Sequence, residues 1–281
     1  MTDKELSNGV TANAWSRLRQ FTDARIGLGR AGISLPTRQL LEFQLAHAQA
    51  QDAVHLPLDV NALCQQLATL EGAAALTPIR LHSQAADRIT YLQRPDLGRR
   101  LDDESAQRLN APAPDAASAP RQACDLAIVV VDGLSSLAVQ NNATAFIETL
   151  LEELSLDKDQ SWRLGPLTLV EQGRVAIGDE IGERLNARAV LVLIGERPGL
   201  SSPDSLGLYL TWGPRLNLND ASRNCISNVR PGGLSYPDAA RRLMYLLRES
   251  RRQKLSGVAL KDRTDDNLIE HQGEARNFLI S

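Results

Sequence analysis

Uninterrupted runs of apolar residues mark the predicted strands in the second half of the chain. The run at 189–194 is closed by the turn residues Gly-Glu-Arg-Pro-Gly, and the run at 126–131 is closed by Asp-Gly-Leu-Ser-Ser. Because these runs lack the alternation of a sheet with one solvated face, they predict strands buried on both faces of a parallel sheet. Shorter runs predict two further strands, at 167–170 and 206–212.

Apolar residues at helical spacing accompany these strands. The pattern predicts three helices in this half of the chain, at 137–154, 179–186 and 237–256. Pro237 suits the first position of a helix, and Gly257 provides a stop signal. Strands that alternate with helices imply right-handed crossovers, and hence an α/β fold with a Rossmann-like parallel sheet.

The first 110 residues are predicted to be mainly helical and rich in loops. Ser34 and Asp59 are the expected N-caps of two of the helices. The predicted elements are helices at 6–21, 36–54 and 60–70, a short strand at 79–82, an irregular basic loop at 91–101, and a short helix from Asp102 or Asp103 to Leu109.

A segment rich in alanine and proline separates the two halves. Such residues cannot build a core, so 111–121 is predicted to be a linker or an exposed loop. The chain therefore divides into a smaller, mainly helical N-terminal domain (1–110), a Rossmann-like domain (122–260) and a polar tail (261–281).

The composition of the chain excludes several classes of protein. The 281 residues are 43% hydrophobic and 23% charged, with a formal net charge of -3, so the chain offers no general attraction to nucleic acid or to anionic membranes. No apolar run approaches the ~20 residues that span a bilayer, and the first residues lack the apolar core of a secretory signal. The three cysteines show no CxxC spacing and the four histidines no HExxH pattern. A cytoplasmic protein without a disulfide framework or a metal site is expected.

One glycine motif suggests a different function. Residues 27–32 match G-x-G-x-x-G, the fingerprint of a dinucleotide-binding site. That fingerprint needs a preceding strand and a helix that opens at the last glycine, so that helix amides can hold the pyrophosphate. Only a short segment precedes Gly27, and Pro36 delays the helix, so a stand-alone nucleotide-binding oxidoreductase is kept as the alternative hypothesis.

The sequence lacks the partner residues that a catalytic serine or cysteine would need. Ser135 and Ser136 follow a predicted strand, but G-x-S-x-G is absent and no histidine lies between Asp125 and Glu270. Cys225, in a polar and glycine-rich loop predicted at 224–233, has no convincing partner histidine. No catalytic residue is assigned to this chain. Polar groups at strand ends can still form a binding site, because ligands of such sheets collect at the carboxyl ends of the strands.

Several longer motifs occur in a diagnostic order. They are RIGLGRAG at 25–32, YLQRPDLGRRL at 91–101, VDGLS at 131–135, GERPGL at 195–200 and CISN at 225–228. On these motifs the chain, over about 15–258, resembles the small subunit (light chain) of ethanolamine ammonia-lyase, an adenosylcobalamin-dependent enzyme that converts ethanolamine to acetaldehyde and ammonia by a radical mechanism.

The resemblance implies a chain that completes an enzyme. A large subunit with a TIM-barrel fold is expected to hold the substrate and most catalytic groups, in a hetero-oligomer of several subunit pairs. The family's cofactor contacts correspond to Val175, Glu196 and Cys225. Glu196 can accept hydrogen bonds from cobalamin's amide groups, while Val175 and Cys225 suit its apolar edges and nucleotide tail. The chain lacks an Asp-x-His-x-x-Gly motif, so a base-on cofactor is expected, with cobalt unligated by this subunit.

Three segments leave questions open. The part before Trp15 is shorter than the extension that some family members use for packaging in a bacterial microcompartment, which puts such packaging in doubt. The tail after Gly257 is longer than the family's usual end and has no assigned role. The arginine-rich loop at 94–100 is either an interface to the large subunit or a solvated loop.

Overall fold

Six strands form one mixed sheet, in the order β1-β3-β2-β4-β5-β6. The computed structural model describes residues 9–22, 24–70, 78–110 and 123–261. The predicted linker and nearly all of the predicted tail lie outside these ranges. The strands are β1 (Ile79–His82), β2 (Cys124–Val131), β3 (Thr168–Glu171), β4 (Ala187–Gly195), β5 (Leu206–Trp212) and β6 (Arg223–Val229).

The first four strands of this order are parallel, and the last two are not. β1, β3, β2 and β4 run in the same direction, whereas β5 is antiparallel to β4 and β6 is antiparallel to β5. The prediction of a wholly parallel sheet is therefore wrong at β5. The segment 196–205 contains no helix, and a parallel return normally needs a crossover of a dozen or more residues.

The loop predicted at 224–233 is also wrong in part, because 223–229 forms the edge strand β6. Every third residue of β6 is buried (Arg223, Ile226 and Val229), and its register places Tyr209 of β5 opposite Cys225. The polar residues between these buried positions led to the prediction of a loop. β6 ends beside the start of β5, since Leu206 pairs with Val229.

Both faces of the central strands are covered, as their apolar runs predict. Ile128 and Val130 of β2 belong to the core cluster that also contains residues of the helices at 136–156 and 236–253. Val129 and Val131 belong to a second cluster, on the other face, with residues of the helix at 177–184. Successive residues of a strand point to opposite faces, so a strand covered on both sides must be apolar at every position.

The helices are α1 (Thr37–His55), α2 (Val60–Ala68), α3 (Arg88–Gln93), α4 (Asp103–Asn110), α5 (Ser136–Leu156), α6 (Ile177–Arg184) and α7 (Tyr236–Gln253). Most agree with prediction to within a few residues. Asp59 caps α2 by accepting a hydrogen bond from the Ala62 amide (2.9 Å). None of the helices in the described ranges is long and apolar enough to cross a membrane.

Four details of the predicted helices and loops differ from the structure. The N-cap of α1 is Pro36, without a side-chain hydrogen bond, so Ser34 has no capping role. α7 ends at Gln253, where Lys254 adopts the left-handed conformation (φ 57°), rather than near Gly257. The segment 91–101 starts inside α3 and includes a 3-10 turn at Leu97–Arg99. The described part of the predicted helix at 6–21 forms a 3-10 helix at Ala14–Gln20.

Strand β1 joins the two halves of the chain. It precedes the 111–121 segment in sequence, but it pairs in parallel with β3, from Ile79 opposite Thr168 to His82 opposite Glu171. The sheet therefore draws on residues from both sides of that segment. The division into domains at 111–121 itself stays a prediction.

Candidate functional site

Close backbone contacts fix the turn that follows β4. A Cβ atom on Gly195 would overlap the carbonyl oxygen of Ser135 and lie 2.7 Å from the carbonyl oxygen of Asp132. Only glycine therefore lets the end of β4 rest against the turn after β2. The next residue, Glu196, is placed by this contact at the carboxyl edge of the parallel strands.

The Glu196 carboxylate ties together the loop before β5 and the end of β6. It accepts hydrogen bonds from the hydroxyl of Ser205, from the hydroxyl of Ser227 (2.5 Å) and from the Asn228 amide (3.2 Å). A carboxylate has about four lone-pair positions, so these three donors leave room for one more. Glu196 is half-buried. It can therefore accept a hydrogen bond from a bound molecule without giving up its present ones.

Val175 lies in the loop after β3, and a buried carboxylate holds the first residues of this loop. Asp132 accepts hydrogen bonds from the amides of Gln172 (2.8 Å), Gly173 (3.1 Å) and Gly133 (2.8 Å). Burial raises the pKa of Asp132 to about 6, although these hydrogen bonds oppose the shift. Gln172 has the left-handed backbone conformation (φ 55°). The half-buried Val175 side chain is thus presented by a loop with a fixed start.

Cys225 lies on β6, with its side chain beside Tyr209 of β5. The two residues are opposite each other in register. Desolvation raises the pKa of the Cys225 thiol, and the negative charge of Glu196 acts in the same direction. A thiol with a raised pKa is neutral at physiological pH and is a poor nucleophile. Cys225 is therefore suited to contact rather than to covalent chemistry.

Two adjoining cavities bring the three predicted residues together. One, of about 340 Å³, is lined by Val175, Glu196 and Tyr209 among others. The second, of about 410 Å³, is lined by Val175, Cys225 and Tyr209 among others. Val175 and Tyr209 are common to both, so the predicted contacts form one continuous surface. Residues that are distant in sequence thus lie on one surface.

Three residues of this surface were missed by the sequence analysis. Arg174 and Tyr209 line both cavities, and Tyr91 of α3 lines the smaller one. Arg174 is adjacent to Val175 in sequence, which was an available signal. Tyr209 could be placed opposite Cys225 only if β6 had been recognised as a strand. Nothing in the sequence near Tyr91 indicates that it packs against a loop eighty residues away.

Comparison with known proteins decides the family. The family model described as ethanolamine ammonia-lyase light chain (EutC) matches residues 12–261. The chain belongs to the ethanolamine ammonia-lyase small-subunit family. This match includes every element of the sheet and all three predicted contact residues.

Relatives from several bacteria agree with this assignment. The chain is 56% identical over 284 residues to the ethanolamine ammonia-lyase small subunit of Pseudomonas aeruginosa (strain UCBPP-PA14), covering 100% of this chain and 99% of the relative. It is 57% identical over 271 residues to the protein of that name from Ralstonia nicotianae, covering 96% of each. It is 56% identical over 272 residues to that from Xanthomonas campestris pv. campestris (strain ATCC 33913), covering 95% of this chain and 96% of the relative.

In this family member the glycine motif at 27–32 has a packing role. A Cβ atom on Gly27 would lie 2.6 Å from the Trp15 carbonyl carbon, and one on Gly29 would lie 2.7 Å from the Thr11 carbonyl oxygen. The segment pairs with the preceding chain through a bridge between Thr11 and Arg30. α1 opens only at Thr37, so no helix amides follow the last glycine. The geometry does not support the alternative nucleotide-binding hypothesis.

The serines after β2 are also structural. Ser135 is fully buried and is the N-cap of α5. Its hydroxyl accepts a hydrogen bond from the Ala138 amide (3.1 Å) and donates one to the Pro203 carbonyl (2.7 Å). Within the described ranges, no group of three or more His, Cys, Asp or Glu side chains is placed to hold a metal ion.

Proposed function

We propose that this chain is the cobalamin-contacting small subunit of an adenosylcobalamin-dependent ethanolamine ammonia-lyase. The observation that carries the proposal is the convergence of Val175, Glu196 and Cys225 on one surface, around Tyr209. The enzyme would convert ethanolamine to acetaldehyde and ammonia by a radical mechanism. In this proposal the small subunit binds and covers the cofactor, and the large subunit carries most catalytic groups.

The residues of the surface fit the chemistry of cobalamin. The corrin rim carries amide groups, and Glu196 has one lone-pair position left for an N–H donor. Val175 offers a half-buried apolar side chain to an apolar corrin edge, and the Cys225 side chain lies beside it at the second cavity. Neither cavity is enclosed, as expected for a site that a second protein completes.

Adenosylcobalamin supplies the radical chemistry when it is bound, so the work of this chain is to bind, orient and exclude water. Glu196 is already held by Ser205, Ser227 and Asn228. Its orientation therefore needs no rearrangement when it accepts an amide hydrogen. No histidine lines either cavity within the described ranges. This supports a base-on cofactor whose cobalt is not bound by this subunit.

The partner would be the large subunit, with a TIM-barrel fold, in a hetero-oligomer of several subunit pairs. The relatives are named small subunits, and such a name implies a large one. α1 supports a protein partner, because Leu41 (58% exposed) and Leu45 (61% exposed) lie one turn apart on its surface. α1 is tied to the site by Arg88, which donates to the Val54 carbonyl (2.7 Å) and the Gly133 carbonyl (2.8 Å). Arg88 thus links the last turn of α1 to the turn after β2.

The arginine-rich loop at 94–100 is only partly available as an interface. Arg94 pairs with Asp96 (2.7 Å), and Arg100 pairs with the buried Glu180 (3.1 Å). Arg99 is exposed and lines both the second cavity and a neighbouring one. We therefore propose Arg99 as the residue of this loop that faces the partner.

Two further proposals concern the fold and the cellular location. The crossovers from β2 through α5 to β3, and from β3 through α6 to β4, are the units from which a Rossmann-like core is built. We propose that these strands are that core and that β5 and β6 extend it. We also propose that the enzyme works in the cytoplasm, with packaging in a microcompartment left as a separate question.

Co-expression with the large subunit of the same organism tests the function. We expect acetaldehyde release from ethanolamine to require both chains and added adenosylcobalamin. Equal release without this chain would refute the proposal. Tight binding of NADH by this chain would instead favour the oxidoreductase alternative.

Replacement of Glu196 tests the contact. We expect Glu196→Ala to weaken cobalamin binding to the assembled complex by roughly 10-fold, the order of one hydrogen bond to a charged group. Glu152→Ala is the matched control, since Glu152 is exposed near the far end of α5. If the Glu196→Ala complex binds cobalamin with the affinity of the wild type, Glu196 does not contact the cofactor.

A further inference from the structure

Arg174 occupies a central position that the proposed function does not yet use. Its side chain lines both cavities. Its guanidinium lies over the ring of Tyr91, 4.0 Å from the centroid, and donates to the Tyr91 carbonyl oxygen (2.9 Å). Its amide donates to the Gly98 carbonyl oxygen (2.7 Å). Arg174 is therefore held in one place at the junction of the two cavities.

The support around Arg174 is tightly packed. Tyr91 is fully buried, with the Arg88 guanidinium over its ring at 4.7 Å. A Cβ atom on Gly98 would lie 2.9 Å from the Arg174 Cγ atom and 3.2 Å from the Tyr91 Cδ2 atom. Glycine at 98 thus lets the arginine stem lie flat on this support. An arginine fixed in this way loses little side-chain freedom when it binds a ligand.

The charge of Arg174 has no carboxylate partner within the described residues. Neighbouring arginines have one: Arg88 lies 3.8 Å from Asp132, and Arg223 forms a buried ion pair with Asp179. The Nε atom of Arg174 is buried and has no hydrogen-bond partner in the described part of the chain. A guanidinium held at the edge of a cavity without a counter-charge is suited to an anionic ligand.

The rest of the lining is consistent with an anion. Arg99 and Arg197 are exposed and line one cavity each. The Glu196 carboxylate is the only acidic group in the described lining of the smaller cavity, which also contains the guanidinium groups of Arg174 and Arg197. Asp220 lines the larger cavity and lies 3.5 Å from the Arg223 guanidinium. The two described linings together contain more guanidinium groups than carboxylates, so their net charge is positive, and Arg174 is common to both.

We propose that Arg174 binds the phosphodiester of cobalamin's nucleotide loop. This inference rests on the proposed function, since it takes cobalamin as the ligand. The planar guanidinium matches two phosphate oxygens at once. Val175, the next residue, would then contact the nucleotide tail beside that phosphate. Arg174 acts here as a binding residue that sets the position of the cofactor's tail, and it takes no part in the radical chemistry.

The test compares two corrinoids that differ in the phosphodiester. Cyanocobalamin carries the nucleotide loop, and dicyanocobinamide lacks both the nucleotide and its phosphodiester. Dissociation constants for both are measured by spectrophotometric titration of the two-subunit complex. The complexes carry wild-type chain, Arg174→Gln or the control Arg215→Gln. Arg215 is exposed and lies outside both linings.

We expect Arg174→Gln to weaken cyanocobalamin binding by at least about 10-fold and cobinamide binding by less than about 2-fold. Equal weakening of both ligands would place Arg174 on the corrin and overturn the phosphate assignment. Unchanged cyanocobalamin binding would overturn it as well. Failure of the wild-type complex to bind cyanocobalamin would instead refute the proposed function.

A spectroscopic measurement tests the same contact directly. The ³¹P resonance of bound cobalamin reports on the environment of its single phosphodiester. We expect its chemical shift to differ between complexes with wild-type chain and with Arg174→Gln, and to be unchanged by Arg215→Gln. Identical shifts in all three complexes would overturn the proposal, whatever the dissociation constants are.

Discussion

Replacement of Gly195 by alanine is the sharpest test of how the sheet edge is built. A Cβ at this position would overlap the Ser135 carbonyl oxygen and lie 2.7 Å from the Asp132 carbonyl oxygen. The second distance is about 0.6 Å below the ~3.3 Å of a close carbon–oxygen contact. Both obstacles are backbone atoms of the turn after β2, so no side-chain rotation can relieve them. The ends of β2 and β4 must therefore separate.

Overpacking of this kind typically costs about 1–3 kcal/mol. Because the obstacles are rigid on two sides, we expect Gly195→Ala to cost about 3 kcal/mol, at the upper end of that range. For a chain of this size the midpoint of thermal unfolding should fall by about 6–12 °C. Tryptophan fluorescence can follow the transition, since the chain has three tryptophans.

The matched control is Gly199→Ala, in the same loop. There an added Cβ would meet the Ser202 Oγ atom at 2.8 Å, and backbone atoms come no nearer than 3.7 Å. A hydroxyl can rotate away, so the cost should stay below about 1 kcal/mol. If the two variants unfold at the same temperature, the account of the β2–β4 contact is wrong. If they differ as expected, the proposed contact of Glu196 with cobalamin predicts that Gly195→Ala also weakens cobalamin binding, because Glu196 moves with the end of β4.

Two further predictions concern buried charges. Burial raises the pKa of Asp132 from 3.8 to about 6. Protonation of Asp132 therefore stabilises the folded chain fully below about pH 4, and this stabilisation is lost as the pH rises through about 6. The free energy of unfolding of the wild type should therefore fall by up to about 3 kcal/mol more than that of Asp132→Asn between about pH 4 and 7; parallel profiles would contradict this. Arg223→Met should cost about 3–5 kcal/mol, because it leaves the Asp179 carboxylate buried and unpaired. The double variant with Asp179→Leu should recover most of that loss in urea unfolding, and equal losses in both variants would argue against the ion pair.

The central strands could be predicted because they are buried on both faces, which favours apolar residues along their length. β2 and β4 are covered by helices on both faces, so each residue must be apolar, and an unbroken apolar run results. The same run does not reveal strand direction. The absence of a helix from 196–205 was the available sign that β5 returns antiparallel to β4. β6 was not recognised because it buries only every third residue, so its sequence shows neither an apolar run nor a regular alternation.

Three residues of the candidate site could be named from the sequence, but its other members and the way it is built could not. Val175, Glu196 and Cys225 came from the family resemblance, and the sheet places them together. The residues that support them are distant in sequence: Tyr91 lies under Arg174, with a hydrogen bond across 83 positions. No local pattern signals a contact of that kind. It follows from the register of β1 beside β3, which itself could not be derived from a strand as short as Ile79–His82.

The supports of the site are contacts within the chain itself. Gly195 packs against the backbone of the β2 turn, Asp132 holds the amides at the start of the Val175 loop, and Tyr91 holds Arg174. In the proposed function, these contacts form when the chain folds, so ordering them adds little to the conformational cost of cobalamin binding. The surface would then bind one side of cobalamin, and the large subunit would cover the other side. Substitutions in the supports are expected to weaken cobalamin binding without contacting the cofactor, because they misplace the residues proposed to contact it.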